Sequence, residues 1–327
     1  MATSRSIAII GAGLSGLRLA QHLHPVADVT VFEKSRGLGG RMSTRRADLY
    51  HFDHGAQYFT ARGPAFAAFL RPYLEAGSVE IWQPRLANLA DGTPPPVWSA
   101  PRYVAVPGMT GLAKSMAQDL KVERSVHIDC LQRSGSSWAL RDKEGIIRDG
   151  FDWVISTAPA PQTVQLMPPE FAGHTALQST QMQGCYTLML GFDKAQGLDW
   201  DAAWVGADPL AWIAVNASKL GRAGPYCIVA QTSNSWAEVN LERDQADVQA
   251  ELMAAFTAAT GVNASSASYV SLHRWRYASV RRSAGHPFLM DPAQCLAAAG
   301  DWCGAGKVEA AFESAEALAS ALRVHLA

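Results

Sequence analysis

The sequence lacks a long apolar run, a C-x-x-C pair and an excess of charge of either sign. Its 327 residues include only five cysteines (Cys130, Cys185, Cys227, Cys295 and Cys303), scattered and odd in number. That usage predicts reduced thiols in a cytoplasmic setting rather than a disulfide framework. No run approaches the roughly 18–20 apolar residues that cross a bilayer. The first strand-like stretch, Ile7 to Ile10, is too short for a signal peptide, so neither a membrane span nor export is expected. Lys and Arg number 28 against 29 Asp and Glu, a net charge of −1, which gives no reason to expect a nucleic-acid or anionic-membrane partner. Nine histidines are present, but neither His22 with His24 nor His51 with His54 matches a ligand spacing, and no metal site is expected. What remains is 48% hydrophobic residues, enough to exclude a mainly disordered chain, on a length suited to two domains or one large one.

The first forty residues carry the strongest local signal. Ser6-Ile7-Ala8-Ile9-Ile10 is apolar and β-branched, as a parallel strand buried on both faces requires. It runs into Gly11-Ala12-Gly13-Leu14-Ser15-Gly16, after which apolar residues continue at helical spacing until Pro25. Val29-Thr30-Val31-Phe32 predicts a second strand ending in Glu33, an acid 20 residues after Gly13. A G-x-G-x-x-G in this strand–turn–helix context is a dinucleotide-binding fingerprint. Gly11 permits the tight turn, Gly13 lets the backbone approach a pyrophosphate, and Gly16 lets helix and strand pack closely. The helix N-terminus offers unpaired N–H groups and partial positive charge to phosphates. Glu33 is placed to accept hydrogen bonds from ribose hydroxyls.

Further along, Lys34-Ser35-Arg36-Gly37-Leu38-Gly39-Gly40-Arg41-Met42 adds a second glycine pair followed by arginine, whose guanidinium suits phosphate oxygens. Val154 to Thr157 predicts another buried strand, and Leu296 to Ala299 a strand ending in Gly300-Asp301 before a C-terminal helix. Between about 161 and 275, strand-like alternation, turn residues and accumulated aromatics predict an antiparallel sheet with one helix near Asp244 to Thr257. A strand over 269–280 would put Tyr269, His273, Trp275 and Tyr277 on one face.

The Gly-Gly-Arg segment resembles that of FAD enzymes of the amine-oxidase superfamily. The series Lys34-Ser35-Arg36-Gly37, Gly39-Gly40-Arg41-Met42, Gly55-Ala56-Gln57-Tyr58-Phe59-Thr60-Ala61-Arg62, Pro107-Gly108-Met109, His273-Arg274-Trp275-Arg276-Tyr277-Ala278 and Gly300-Asp301-Trp302-Cys303 is similar to the bacterial renalase family over nearly the whole chain. The resemblance implies an α/β fold, with a Rossmann-type FAD-binding domain and an inserted α+β substrate domain built on an antiparallel sheet. On this reading residues 1–62, 101–160 and 276–327 form the FAD-binding domain, and 63–100 with 161–275 the substrate domain. It implies non-covalent FAD and oxidation of 2-dihydro, and possibly 6-dihydro, isomers of NAD(P) to NAD(P)⁺. Hydride would pass to flavin N5, and O2 would reoxidise the flavin to give hydrogen peroxide. The cofactor-binding set is then Gly11, Gly13, Leu14, Ser15, Gly16, Glu33, Lys34, Gly40, Arg41, Met42, Ala56, Gln57, Tyr58, Phe59, Val126, Thr157, Gly300, Asp301, Val308 and Glu309. Candidate catalytic residues are Tyr58, His273, Trp275 and Trp302, which would orient the donor.

Two other functions compete. A flavin amine oxidase usually carries a lysine near the flavin, and no lysine here has an obvious setting for it. A non-catalytic flavin-bound redox sensor could use Cys303, since thiolates are favoured near helix N-termini.

Overall fold

A computed structural model describes residues 5–90, 93–95, 97–222 and 224–326. The chain divides into two compact units. Unit 1 comprises Met1–Gly40, Leu112–Met182 and Val280–Ala327, and unit 2 comprises Arg41–Gly111 and Gln183–Ser279. The division differs from the expected one at 41–62, 101–111 and 276–279, which fall in unit 2 rather than with the dinucleotide-binding segments, and at 161–182, which falls in unit 1 rather than in the substrate domain.

Unit 1 is built on a six-stranded sheet in the order Leu289–Asp291, Leu296–Ala298, Trp153–Ser156, Ser6–Ile10, Asp28–Glu33, Lys121–Arg124. All neighbours pair in parallel except the antiparallel edge strand Leu289–Asp291. The central strands read as unbroken apolar runs because both faces are covered. Ile7, Ala8, Ile9, Val154, Ile155, Leu296 and Ala298 have no exposed surface. Helix Leu14–Leu23 leaves the first strand through the glycine turn and packs against the long C-terminal helix Val308–Leu326. Glu316 on the second helix accepts from Arg18 Nε at 2.5 Å and bonds the His22 ring at 2.7 Å, which fixes their register. A three-stranded antiparallel sheet, Ile147–Phe151, Ser137–Asp142 and Ile128–Ser134, contributes Phe151, Trp138, Leu140 and Ile128 to the same core.

Unit 2 is organised on a second six-stranded sheet, in the order Tyr269–Arg282, Gln181–Phe192, Tyr226–Thr232, Leu210–Val215, Ala202–Trp204, Leu86–Asn88. Three of its strand pairs are antiparallel, and the edge pairing of Leu86–Asn88 is parallel. Helix Gln245–Thr260 starts at Asp244, whose carboxylate accepts from the Ala246 and Asp247 N–H groups, and stops at Gly261 with φ +71°. Val248, Leu252 and Phe256 place its apolar stripe in a core with Leu188, Leu190, Phe192 and Ile228. The predicted helix near 244–257 is therefore present. A second helix, Asn234–Asn240, was not anticipated. A short hairpin, Thr44–Ala47 and Tyr50–Asp53, carries the chain into the segment 54–59.

Candidate functional site

The glycine turn of unit 1 has the geometry its sequence dictates. Gly11 sits at φ +111°, a conformation that L side chains rarely adopt. A Cβ on Gly16 would overlap the Gly11 carbonyl oxygen and lie 2.7 Å from Thr157 Oγ1, whereas a Cβ on Gly13 would meet nothing within 4 Å. The loop is thus tight against the sheet on one side and open on the other. Thr157 braces it from behind, its hydroxyl lying 3.0 Å from the Gly11 carbonyl and 3.1 Å from that of Ile10. Its role here is to hold the loop. Ser15 Oγ, in the first helical turn, is buried without a hydrogen-bond partner among the described residues. Such an orphan inside a glycine cradle is what a phosphate-binding turn leaves for its ligand.

Glu33 ends the second strand nearly buried. One carboxylate oxygen accepts from Ala12 N–H at 2.8 Å and the other from Ser35 N–H at 2.8 Å. The carboxylate is held beside the loop with lone pairs left over for hydroxyl donors. Val126 N–H donates to the Glu33 carbonyl. Gly40 approaches the loop closely: a Cβ there would lie 3.6 Å from Gly13 Cα. Lys34 is exposed and reaches Gln162.

At the other end of unit 1, Gly300 N–H donates to Ser314 Oγ and Asp301 is buried. Val308 and Glu309 form the partly buried first turn of the last helix. Trp302 requires a correction. It is 0% exposed in the unit 1 core and its indole N–H donates to the Ala158 carbonyl at 3.0 Å. It has no ring face left to orient a substrate and is a packing residue. Cys303 is corrected as well. Burial pushes its thiol up to about 12, so it is a protonated, enclosed group rather than the reactive thiolate that the sensor reading needs.

In unit 2, hairpin residue Asp53 organises a fully buried ionic cluster. Its carboxylate accepts from Arg222 Nη2 at 2.6 Å, Thr44 Oγ1 at 2.7 Å, Met109 N–H at 2.9 Å and Arg222 Nε at 3.1 Å, with Lys219 Nζ at 3.5 Å. Lys219 also donates to Gln57 Oε1 at 3.0 Å and Asn216 Oδ1 at 3.2 Å. Burial brings Lys219 down to about 8 against the opposing pull of Asp53. The Asp53 carboxyl is held below its ordinary value: burial works to raise it, but the Lys219 and Arg222 charges and the hydrogen bonds prevail. A buried lysine in this half of the chain had no sequence signal, because Asp53 and Gln57, which it meets, lie more than 160 residues away.

The cluster corrects two cofactor assignments. Gln57 turns inward, its amide donating to the Asp53 and Gly55 carbonyls while its oxygen accepts from Lys219. Phe59 is buried against Phe66 and Tyr103, and its backbone pairs with Tyr103 in both directions. Neither side chain can reach a cofactor. The Ala56 N–H is taken by the Arg41 carbonyl, Met42 is buried, and Arg41 Nη1 donates to Ala278 O.

The strand Tyr269–Arg282 alternates as predicted. Ser271 and His273 meet Arg45, whereas Arg274 and Arg276 turn to Leu241 and Glu242. His273 stands edge-on to His54 (centroids 4.8 Å apart) and to Trp275 (4.3 Å), and the Trp275 N–H donates to the His54 carbonyl at 2.8 Å. Arg45 Nη2 can only donate, so the 3.3 Å contact makes His273 Nδ1 the acceptor and puts its proton on Nε2. Burial lowers His273 to about 4, with help from the Arg45 charge. Burial, then the His273 and Arg45 charges, lowers His54 to about 3. Both rings are neutral near pH 7.

Tyr58 does not join that pair. It packs instead with Trp98 (5.2 Å), Trp212 (6.0 Å) and Trp82 (6.2 Å), with the Arg102 guanidinium 5.2 Å from its ring centre. The four candidate catalytic residues are thus distributed over three places: the unit 1 core, the histidine pair and an aromatic cluster.

A Rossmann-type dinucleotide-binding unit with a second unit rich in β-sheet is the architecture of the flavin amine-oxidase fold, and the chain has that fold. Residues 9–73 match the family described as NAD(P)-binding Rossmann-like domain. The chain is similar to mouse (Mus musculus) renalase, at 24% identity over 300 residues, covering 85% of this chain and 86% of that protein. It is 40% identical over 62 residues to coproporphyrinogen III oxidase of Staphylococcus aureus, a stretch that covers 18% of this chain and only 13% of that enzyme. Among solved structures it shares its fold with an Exiguobacterium sp. 255-15 protein described as a protoporphyrinogen oxidase (TM-score 0.78, 13% identity, 99% of each chain). Cyclohexylamine oxidase from Brevibacterium oxydans IH-35A shares it as well (TM-score 0.71, 13% identity, 99% of each chain).

Proposed function

We propose that the chain is a FAD-dependent oxidase of a small molecule. The observation that carries this reading is the glycine cradle of unit 1, closed to any side chain at Gly16, open at Gly13, and lined by the orphaned Ser15 hydroxyl. In it the N–H groups of the turn and the start of helix Leu14–Leu23 would hold the pyrophosphate. Glu33 would take the adenosine ribose hydroxyls and repel a 2′-phosphate, and Gly300, Asp301 and the first turn at Val308 and Glu309 would hold the far end of the cofactor. FAD bound there supplies a two-electron acceptor for the substrate hydride and a route for those electrons to O2, giving hydrogen peroxide.

For the hydride donor we propose isomeric dihydronicotinamide dinucleotides. The similarity to renalase spans most of both chains. The electrostatics of unit 2 agree with it. With folded-state values of about 3 and about 4, His54 and His273 are neutral and weakly basic near neutral pH. A donor that becomes aromatic on losing hydride needs no base. His273 and Trp275 are proposed to orient that donor.

An amine is the second reading, toward which the fold comparisons lean, since cyclohexylamine oxidase is among the similar structures. It gains from the buried Lys219, yet that ammonium is committed to Asp53, Gln57 and Asn216. Anaerobic mixing separates the two: 2- or 6-dihydro-NAD should bleach the bound flavin rapidly. Bleaching by cyclohexylamine or putrescine alone would refute the dihydronicotinamide reading. For the cofactor, Glu33→Ala should weaken FAD retention without changing the flavin spectrum, and a changed spectrum without loss would mean that Glu33 lies elsewhere.

A further inference from the structure

The aromatic cluster around Tyr58 in unit 2 has a polar character that packing does not explain. Its rings form a connected set. Besides the Tyr58 contacts, Trp82 lies 6.0 Å from Trp98, Trp98 lies 6.4 Å from Trp204, and Trp204 lies 5.1 Å from Trp212. Trp82 is buried and satisfied, its indole N–H donating to Ser218 Oγ at 3.2 Å. The indole N–H groups of Trp98 and Trp212 are not. Both are buried with no acceptor among the described residues, and so is Nε of Arg102.

Arg102 is the second anomaly. Its guanidinium lies 4.6 Å from the Trp98 ring centre and 5.2 Å from that of Tyr58, and one terminal nitrogen donates to the Ala100 carbonyl at 2.8 Å. No carboxylate among the described residues pairs with it. Three donors and one positive charge without partners among the described residues therefore occupy one set of rings. Native proteins seldom leave buried donors unpaired, and a cluster of them calls for an acceptor.

We infer that this cluster is a binding site for a planar aromatic carboxylate. A carboxylate brings two oxygens with about four lone-pair positions, enough for all three donors, and it neutralises Arg102 through the guanidinium fork. A flat ring stacks on half-buried tryptophan and tyrosine faces, as rings and guanidinium already do here. The same features reject an ammonium ligand, although an aromatic box is its usual receptor, because a cation already occupies the box. The site is formed wholly by residues of unit 2 and holds or fails independently of the flavin reading.

Titration calorimetry on the full-length protein tests it, with benzoate as the probe and benzamide and benzylamine as the neutral and cationic comparisons. Saturable benzoate binding is expected, with benzamide weaker by about tenfold, the loss that a charge-assisted hydrogen bond predicts, and no heat from benzylamine. Arg102→Gln should weaken benzoate by at least about tenfold and Arg102→Lys by less, since the charge stays but the fork goes. Trp98→Phe and Trp212→Phe keep an aromatic ring but remove the indole N–H together with the pyrrole part of the ring, and each should weaken benzoate by at least about fivefold. Absence of saturable benzoate binding, benzamide or benzylamine binding as tightly as benzoate, or unchanged affinity in Arg102→Gln would each overturn the assignment.

Discussion

Acid should destabilise unit 2 through one histidine, and the size of the effect follows from its surroundings. His54 is enclosed by Trp275 and His273 and feels the Arg45 charge, so its folded-state value is about 3 against 6.5 when free. Between those two values the unfolded chain takes up a proton that the folded chain refuses. Stability is therefore complete above about pH 6.5 and falls as the pH drops toward 3. At pH 5 the gap is 1.5 pH units below the free value, which at about 1.4 kcal/mol per unit amounts to about 2 kcal/mol. His273 adds to the effect in the same direction, but it is partly exposed and solvent screens its share. Urea denaturation followed by tryptophan fluorescence at pH 7 and pH 5 measures the loss. His54→Asn removes the titrating group, so its loss over the same interval should be smaller by about 2 kcal/mol, whatever its stability at pH 7. An equal loss in the variant and the natural protein would refute the reasoning, because the acid sensitivity would then arise elsewhere.

The remaining predictions concern the two best-defined polar constructions. Gly16→Ala should yield protein without bound flavin, as read from its absorbance, because the new methyl group would collide with the Gly11 carbonyl that shapes the loop. Retention of full flavin content would show that this loop does not hold the cofactor. Asp53→Asn leaves Lys219 and Arg222 buried without their counter-charge and should cost about 3–5 kcal/mol in urea denaturation. Lys219→Met should cost clearly less, since Arg222, Thr44 and the Met109 N–H still satisfy Asp53. Equal losses would mean that the cluster is not organised around the carboxylate.

The strand, glycine turn and helix at the start of the chain were legible because every interaction that shapes them is local. The β-branched run, Gly11, Gly16 and Glu33 lie within 28 residues of one another. The face alternation of Tyr269–Arg282 was legible for the same reason, since it needs only the twofold period of a strand. Tertiary partners decided what was missed. Gln57 and Phe59 sit in a segment whose motif suggested cofactor contact, but the side chains point to Lys219 and to Phe66 and Tyr103. Lys219 looked unremarkable in sequence because the acid it meets is Asp53, on another hairpin. Tyr58 drew notice for its motif, while its companions Trp98 and Arg102 come from a stretch with no periodicity to mark them.

The order of segments along the chain has a consequence for synthesis. Unit 2 is made of residues 41–111 and 183–279, so all of it has been translated before the last piece of unit 1 begins. Unit 1 must wait for strand Leu296–Ala298 to complete its parallel sheet, and for Glu316 to reach Arg18 and His22 across nearly the whole chain. Its strand Ser6–Ile10 stays without one of its two sheet neighbours until Trp153–Ser156 is made. Contacts of such long range are slow to form, and an apolar strand awaiting its neighbour is open to aggregation. The nascent chain should therefore acquire its aromatic unit early and its glycine cradle last, which makes the newly made protein's capacity to hold a dinucleotide a late event in its maturation.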